Sequence, residues 1–284
     1  MGKKVVIGSD STCDLNAELM ERYQVKLVPL TVNLGDKVCK DGVDIDPDMI
    51  YAHYEAHKEL PKTASPNISD FQSFFAEHTA DGSEMVFFTI SCEMSSTYNN
   101  ARLAALEFEG VHVVDTRNLS TGGGLLVVSA GEMAKEGKSA AEIAEICRAM
   151  TSRVDASFVI DKLEFLHKGG RCSALAAFGA NLLQLKPCIT VNNGKMGVSK
   201  KYRGKFKVVL EKYIADRIGD GSDLETAHVF VTHAGCDDEI CNACVEQVKS
   251  YGIFKEVHVT RAGCTVSAHC GRNTLGVLFI RKEA

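Results

Sequence analysis

The sequence predicts an α/β protein of two domains, with a boundary near residue 155 that gives domains over 1–155 and 156–284. Three observations predict it. The chain has 284 residues, and one domain usually takes about 100–200. From Lys3 to Thr151, short β-branched runs alternate with helical segments, the pattern of a parallel sheet with helices on both faces. After Val154–Ile160 the texture changes to a Gly-rich turn, a hairpin pattern and a second strand–helix alternation, which reads as a C-terminal α/β domain.

The elements follow in order. Val5-Val6-Ile7 marks a buried strand over Lys3–Ser9. Asp14 is placed to cap a helix starting near Leu15. Val25–Asn33 reads as a strand, Asp46-Pro47 starts a helix to about Lys58, and Pro61–Asn67 reads as a loop. Ser69 caps a short helix to His78. Strands over Glu84–Ile90 and Val111–Val114 flank a helix over Ser95–Glu107. Helices follow near Ser120–Lys135 and Ser139–Thr151. Beyond strand Val154–Ile160 come helical Asp161–Lys168, a weakly charged helix Ser173–Leu185, and a hairpin of Ile189–Asn192 with Met196–Lys201. Helix Lys205–Ile218, strand Ala227–Thr232, helix Asp237–Tyr251 and strands Glu256–Arg261 and Leu275–Ile280 complete the chain.

Composition excludes several classes. Hydrophobic residues make up 45%, and no apolar run approaches the roughly 18 residues of a spanning helix, so no stable membrane insertion is expected. The start, Met1-Gly2-Lys3-Lys4, leads straight into a strand and lacks a signal-peptide core. A cytoplasmic, reducing location is the expectation. The net charge of −5 gives no footprint for nucleic acid, although Lys200–Lys205 is a local basic run. The 11 cysteines are then expected as free thiols. Cys241 and Cys244 form a lone C-x-x-C with Cys236 nearby. A zinc site wants a second pair or a His pair at ligand spacing, so these read as small apolar residues on a helix.

Nucleotide and hydrolase motifs fail one by one. Gly122-Gly123-Gly124 lacks the G-x-G-x-x-G spacing. Gly137-Lys138-Ser139 resembles the end of a P-loop, but Glu132 stands where its first glycine belongs. There is no G-x-S-x-G elbow and no H-E-x-x-H. What remains are polar clusters at strand ends, where open parallel sheets bind ligands: Ser9–Ser11, Ser91–Ser96 and Asp115–Thr121.

These clusters belong to an ordered set of hydroxyl- and glycine-rich segments. The set comprises Asp10-Ser11-Thr12-Cys13-Asp14-Leu15, Thr63-Ala64-Ser65-Pro66, Ile90–Tyr98, Asp115-Thr116 with Ser120-Thr121-Gly122, Leu166–Arg171, Leu182–Pro187 and Ala268-His269-Cys270-Gly271. In this order and spacing the sequence resembles the DegV family of bacterial fatty-acid-binding proteins along essentially its whole length. The resemblance implies a long-chain fatty acid held between the two domains, with no other cofactor and no metal. It also implies a role as the acyl-carrying subunit of a fatty acid kinase, whose separate ATP-binding subunit phosphorylates the bound carboxylate. The implied ligand-binding set is Thr63, Ser65, Ser91, Cys92, Ser95, His269, Cys270 and Arg203, with no catalytic residue. Thr63 and Ser91 would hydrogen-bond the carboxylate, His269 would stand close to it, and Arg203 would face the incoming phosphate or the partner. Arg171 reads as stabilising its Gly-rich turn.

The sequence departs from the family pattern in three motifs. Thr63-Ala64-Ser65-Pro66 stands for Thr-Ser-Gln-Pro, Ser95-Ser96-Thr97-Tyr98 for Ser-Gly-Thr-Tyr, and Arg272-Asn273 for a Pro-Gly pair after His269.

Physical chemistry agrees in kind. About 14–16 methylenes at about 0.8 kcal/mol each set an upper limit of roughly 11–13 kcal/mol for burying the tail. A buried carboxylate needs hydrogen bonds, and hydroxyls with N–H groups at a helix N-terminus supply them. Plainer roles stand beside these: Ser91 as a helix cap, Thr63 as a loop residue bonding its own backbone, His269 and His233 as structural histidines, Arg203 on a solvated face, Asp10 and Asp115 as caps. The rival from another class is a stand-alone ester or phosphoester hydrolase using Ser91 and His269.

Overall fold

The computed structural model describes residues 3–172 and 185–283. Its strands are Val5–Asp10 (β1), Lys26–Val28 (β2), Thr31–Leu34 (β3), Lys37–Lys40 (β4), Lys62–Ala64 (β5), Glu84–Thr89 (β6), Val111–Asp115 (β7), Val154–Ile160 (β8), Leu185–Asn192 (β9), Lys195–Arg203 (β10), Leu224–Ala234 (β11), Glu256–Arg261 (β12) and Thr274–Arg281 (β13). Its helices are Ala17–Arg22 (α1), Pro47–His57 (α2), Ile68–Thr79 (α3), Thr97–Ala105 (α4), Thr121–Lys135 (α5), Ala140–Met150 (α6), Glu164–Gly169 (α7), Phe206–Ile218 (α8), Asp238–Ser250 (α9) and Cys264–Cys270 (α10).

Strands β2, β1, β6 and β7 pair in that order as a parallel sheet. Both of its faces are buried, as parallel sheets require. Alternation along each strand divides the side chains. Met85, Phe87, Val111 and Val113 share a core with Phe71 and Phe75 of α3 and Ala101 and Ala104 of α4. Ile7, Val86, Phe88 and Val114 share one with α5 and α6. The second sheet runs β10-β9-β8-β13-β11-β12 and is antiparallel except between β11 and β12. One of its faces, with Phe158, Ile189, Phe230 and Leu278, joins the same core as α5. The other, with Val229, Val231, Val277 and Phe279, packs under α8 and α9.

Helix α5 therefore lies between the two sheets, and its composition explains how. A Cβ on Gly122 would come within 2.3 Å of Asn118 Oδ1, and one on Gly124 within 2.7 Å of the Cys13 carbonyl. The Gly122–Gly124 run permits close packing against the Asn118 side chain and the Cys13 backbone.

The fold class is the α/β one that the sequence predicts, a parallel sheet covered by helices followed by a second sheet-rich region. Several local expectations change. Pro29 interrupts Val25–Asn33, which splits into β2 and β3. β4 and β5 flank β3 as a three-stranded antiparallel sheet, so Pro61–Asn67 is not all loop. Its core with α2 uses Val32, Cys39, Ile50 and Tyr51 and borrows Phe165, Cys264 and Ala268. Asn16, not Asp14, caps α1. Asn67, not Ser69, caps α3, in a capping box with Asp70. The sequence pattern gives no sign of α10. The expected helix Ser173–Leu185 lies outside the described residues except for Leu185, which opens β9. No helix among the described residues is long and apolar enough to cross a membrane.

Candidate functional site

Helix α10 has no side-chain cap of its own, because Gly263 precedes it. Distant carboxylates fill that role. Asp41 accepts the N–H groups of Cys264 (2.8 Å) and Thr265 (3.0 Å) and the Ser11 hydroxyl (3.0 Å). Asp14 accepts the N–H of Gly263 (2.8 Å) and the Ser120 hydroxyl. Asp10 accepts from Thr12 and, at 2.7 Å, from the N–H of Ile90, which fixes the start of the β6–α4 loop. Burial pushes the Asp10 carboxyl up to about 6 and that of Asp14 up to about 8.

This framework aims the last turn of α10 at β5. His269 Nε2 lies 2.8 Å from Thr63 Oγ1, and Thr63 is fixed by its pairing with Val32. The ring packs over Gly169, where a Cβ would come within 2.7 Å of Nδ1. His269 Nδ1 is buried with no hydrogen-bond partner among the described residues. Burial, then the nearby Arg171 cation, lowers the His269 pKa to about 4. The imidazole is therefore neutral near pH 7. With its proton on Nε2 it donates to Thr63 and frees the Thr63 O–H to donate onward.

The pair opens onto a cavity of about 260 Å³. Its polar wall is Thr63, Ser65, Ser95, Ser96, Arg171 and His269, and its apolar wall includes Leu30, Ile90, Met94, Leu119, Met196 and Val266. Ser96 and Arg171 are exposed, so the polar end faces solvent. Ser95 and Ser96 stand at the N-terminus of α4, whose dipole favours an anion. Leu119, Val266 and Cys270 also line a narrow apolar space of about 30 Å³ that runs deeper, past Ala156, Phe158, Val191 and Leu278. The whole is an amphipathic slot with one wet polar end.

The structure thus brings Thr63, Ser65, Ser95, His269 and Cys270 to one cavity. It places Ser91, Cys92 and Arg203 elsewhere. Ser91 is fully buried; its hydroxyl donates to the Gly194 carbonyl (2.8 Å) and accepts from the Glu93 N–H (3.2 Å). Cys92 receives an Arg117 N–H at 3.5 Å, and its own N–H donates to Asp115. Arg203 is exposed at the end of β10. The hydroxyl of Ser91 and the Nε2 of His269 have separate partners, so the hydrogen bond that a serine hydrolase needs between nucleophile and base is not formed. Arg171 does what its turn suggested, donating to the Gly169 carbonyl at 2.9 Å. It also places a cation at the cavity. Asp10 and Asp115 both hold backbone N–H groups. After His269, Asn273 takes the left-handed conformation (φ 57°) that Asn tolerates. Arg272 stacks 4.7 Å over the Tyr51 ring.

Comparison with known proteins gives one answer along the chain. The model of the DegV family, described as "Uncharacterised protein, DegV family", matches residues 4–282. A DegV domain-containing protein of Clostridium acetobutylicum is 32% identical over 282 residues, covering 99% of both chains. Among solved structures, a fatty-acid-binding DegV family protein of Thermus thermophilus superposes with a TM-score of 0.89 at 30% identity, over 98% of this chain and 99% of that one. A stearic acid-binding protein of Eubacterium ventriosum superposes with a TM-score of 0.84 at 26% identity, over 99% of each chain.

Proposed function

The chain belongs to the DegV family, and on that premise we propose that it binds a long-chain fatty acid and presents its carboxylate to the ATP-binding subunit of a fatty acid kinase. The observation that carries the reading is the Thr63–His269 pair at the solvent-facing end of an otherwise apolar slot. The carboxylate accepts from the Thr63 hydroxyl, which the neutral His269 orients, and takes its countercharge from Arg171. Ser95 and Ser96 add the dipole of α4. The tail follows the apolar wall inward past Leu119 and Val266. That deeper space is narrow, so the tail fills it by displacing side chains between α5 and the second sheet. A head group at the wet end is where a second protein reaches it with a phosphoryl group.

Denaturing mass spectrometry of the purified protein tests the binding step, with release of about one fatty acid per chain expected. Absence of lipid, together with no uptake of added stearate or oleate, overturns it. Presentation is tested separately, by mixing the lipid-loaded protein with such a kinase subunit and ATP and trapping acyl-phosphate as a hydroxamate. A loaded protein that yields no hydroxamate removes the kinase role and leaves binding standing.

A further inference from the structure

Among the described residues, two groups of metal-capable side chains lie outside the cavity: His228 with Glu256 and His258, and His233 with Cys236 and Cys241. The first is already closed. Arg22 holds Glu256 at 2.6 Å, and His228 bonds His258 at 3.0 Å and Glu132 at 2.9 Å. The second is not.

Strand β11 explains how the second group forms. Phe230 and Ala234 point into the core shared with α5, whereas Val229 and Val231 point under α8 and α9. By that alternation the His233 side chain projects toward α9. There it meets Cys236, in the connection after β11, and Cys241, in the first turn of α9. One ligand atom from each lies within 4.8 Å of the other two. A tetrahedral zinc ion with Zn–S of about 2.3 Å sets its two sulfurs about 3.8 Å apart, so the group needs to contract by only about 1 Å.

The polar accounting is incomplete without a further partner. His233 Nδ1 is buried and has no hydrogen-bond partner among the described residues, a condition that costs free energy. The thiols make weak carbonyl contacts, Cys236 with Thr274 at 3.3 Å and Cys241 with Cys236 at 3.9 Å, and the Cys241 thiol also bonds the Cys236 thiol and His233. Two cysteines and an imidazole are ligand types that zinc prefers.

We propose that His233, Cys236 and Cys241 form a three-ligand site for a thiophilic divalent cation of the zinc class, which fastens the end of β11 to the start of α9. Binding breaks the two S–H bonds, forms two metal–thiolate bonds and releases both protons to solvent. The fourth position takes a water molecule. The sequence concealed this site because Cys241 read as the partner of Cys244 in a lone C-x-x-C, with Cys236 only nearby. The third ligand, His233, precedes Cys236 by three residues near the end of β11.

The test is cobalt(II) reloading of the full chain after chelation under reducing, anaerobic conditions. One equivalent of cobalt should give a near-ultraviolet thiolate-to-cobalt charge-transfer band that zinc abolishes. The band should vanish in Cys236→Ser and in Cys241→Ser and persist in Cys147→Ser, whose thiol lies on α6. A second measurement needs no variant: zinc should protect Cys236 and Cys241 of the native chain from alkylation, read by peptide mass mapping. A band that survives in the Cys236→Ser/Cys241→Ser double variant overturns the proposal. So does the absence of both band and protection in folded native protein.

Discussion

Two regions of the molecule are built from similar residues to opposite ends. Around Ser91 every polar group has a partner. The Ser91 hydroxyl joins Gly194 to Glu93, and Arg117 donates to the Asn193 carbonyl at 2.6 Å and lies 3.9 Å from Glu93. The result is a clasp on the β9–β10 turn, tight enough that a Cβ on Gly194 would come within 2.5 Å of Ser91 Oγ. Around His269 the polar groups are aimed but not all used, since Nδ1 has no partner among the described residues and the Nε2–H tautomer leaves Thr63 a proton to give. A serine and a histidine beside glycines look alike in sequence. What separates a clasp from a receptor is whether the hydrogen bonds close without a ligand.

The largest expected effect comes from removing what holds the receptor side in place. Asp41→Ala leaves two buried N–H groups at the start of α10 without acceptors. It should cost about 3–4 kcal/mol, measured as a lower urea midpoint with unchanged m-value. Lipid retention should fall with it, because α10 carries His269. Unchanged stability would mean that the distant cap does not hold the helix.

Next in size is a pH effect that belongs to the receptor side alone. The folded His269 pKa is about 4, and unfolded histidine titrates near 6.5. As pH falls from about 6.5 to about 4, the unfolded chain takes a proton that the folded chain refuses, so stability is lost through that window. The share is at most about 3 kcal/mol. Asp10 and Asp14, with carboxyls pushed up to about 6 and about 8, act in the other direction: their contribution is present below about pH 4 and is lost as pH rises. The readout is therefore a difference. In ligand-free protein, His269→Gln should flatten the acid-side loss relative to the unsubstituted chain, measured by denaturant midpoints across the window. Parallel curves would place the His269 ring in water.

How much of this was legible follows from how far each feature reaches along the chain. The alternation of β1, α3, β6, α4 and β7 was readable because each element declares itself by its own period. α10 was not: Cys264–Cys270 has no apolar stripe, and its cap, Asp41, lies 223 residues away. β4 and β5 were missed because strands of three or four residues are shorter than the window in which alternation can be counted. Thr63 and His269 entered as a pair only through the family resemblance, and their contact spans 206 residues. Ser91 shows the limit of that route. Position in a motif identified a special residue, but not that its hydroxyl turns toward the Gly194 carbonyl.

The smallest expected effects divide the two regions most cleanly. Ser91→Ala removes one buried hydroxyl from the clasp and should lower stability by about 1–2 kcal/mol. Because its hydroxyl is committed to Gly194 and Glu93, lipid affinity should stay within about twofold. Thr63→Val keeps the shape and removes the donor, so it should do the reverse. Loss of one hydrogen bond to a charged carboxylate is worth about 1.5 kcal/mol, close to tenfold in Kd. The folded protein should change by less than about 1 kcal/mol, since among the described residues Thr63 Oγ1 bonds only His269 and sits at the wet end. Both numbers come from one pair of proteins, with thermal melts for stability and displacement of a fluorescent fatty acid for affinity. If Ser91→Ala loses affinity as Thr63→Val does while its melting temperature holds, the hydroxyl turns to the head group when lipid is present, and the clasp and the receptor are one device.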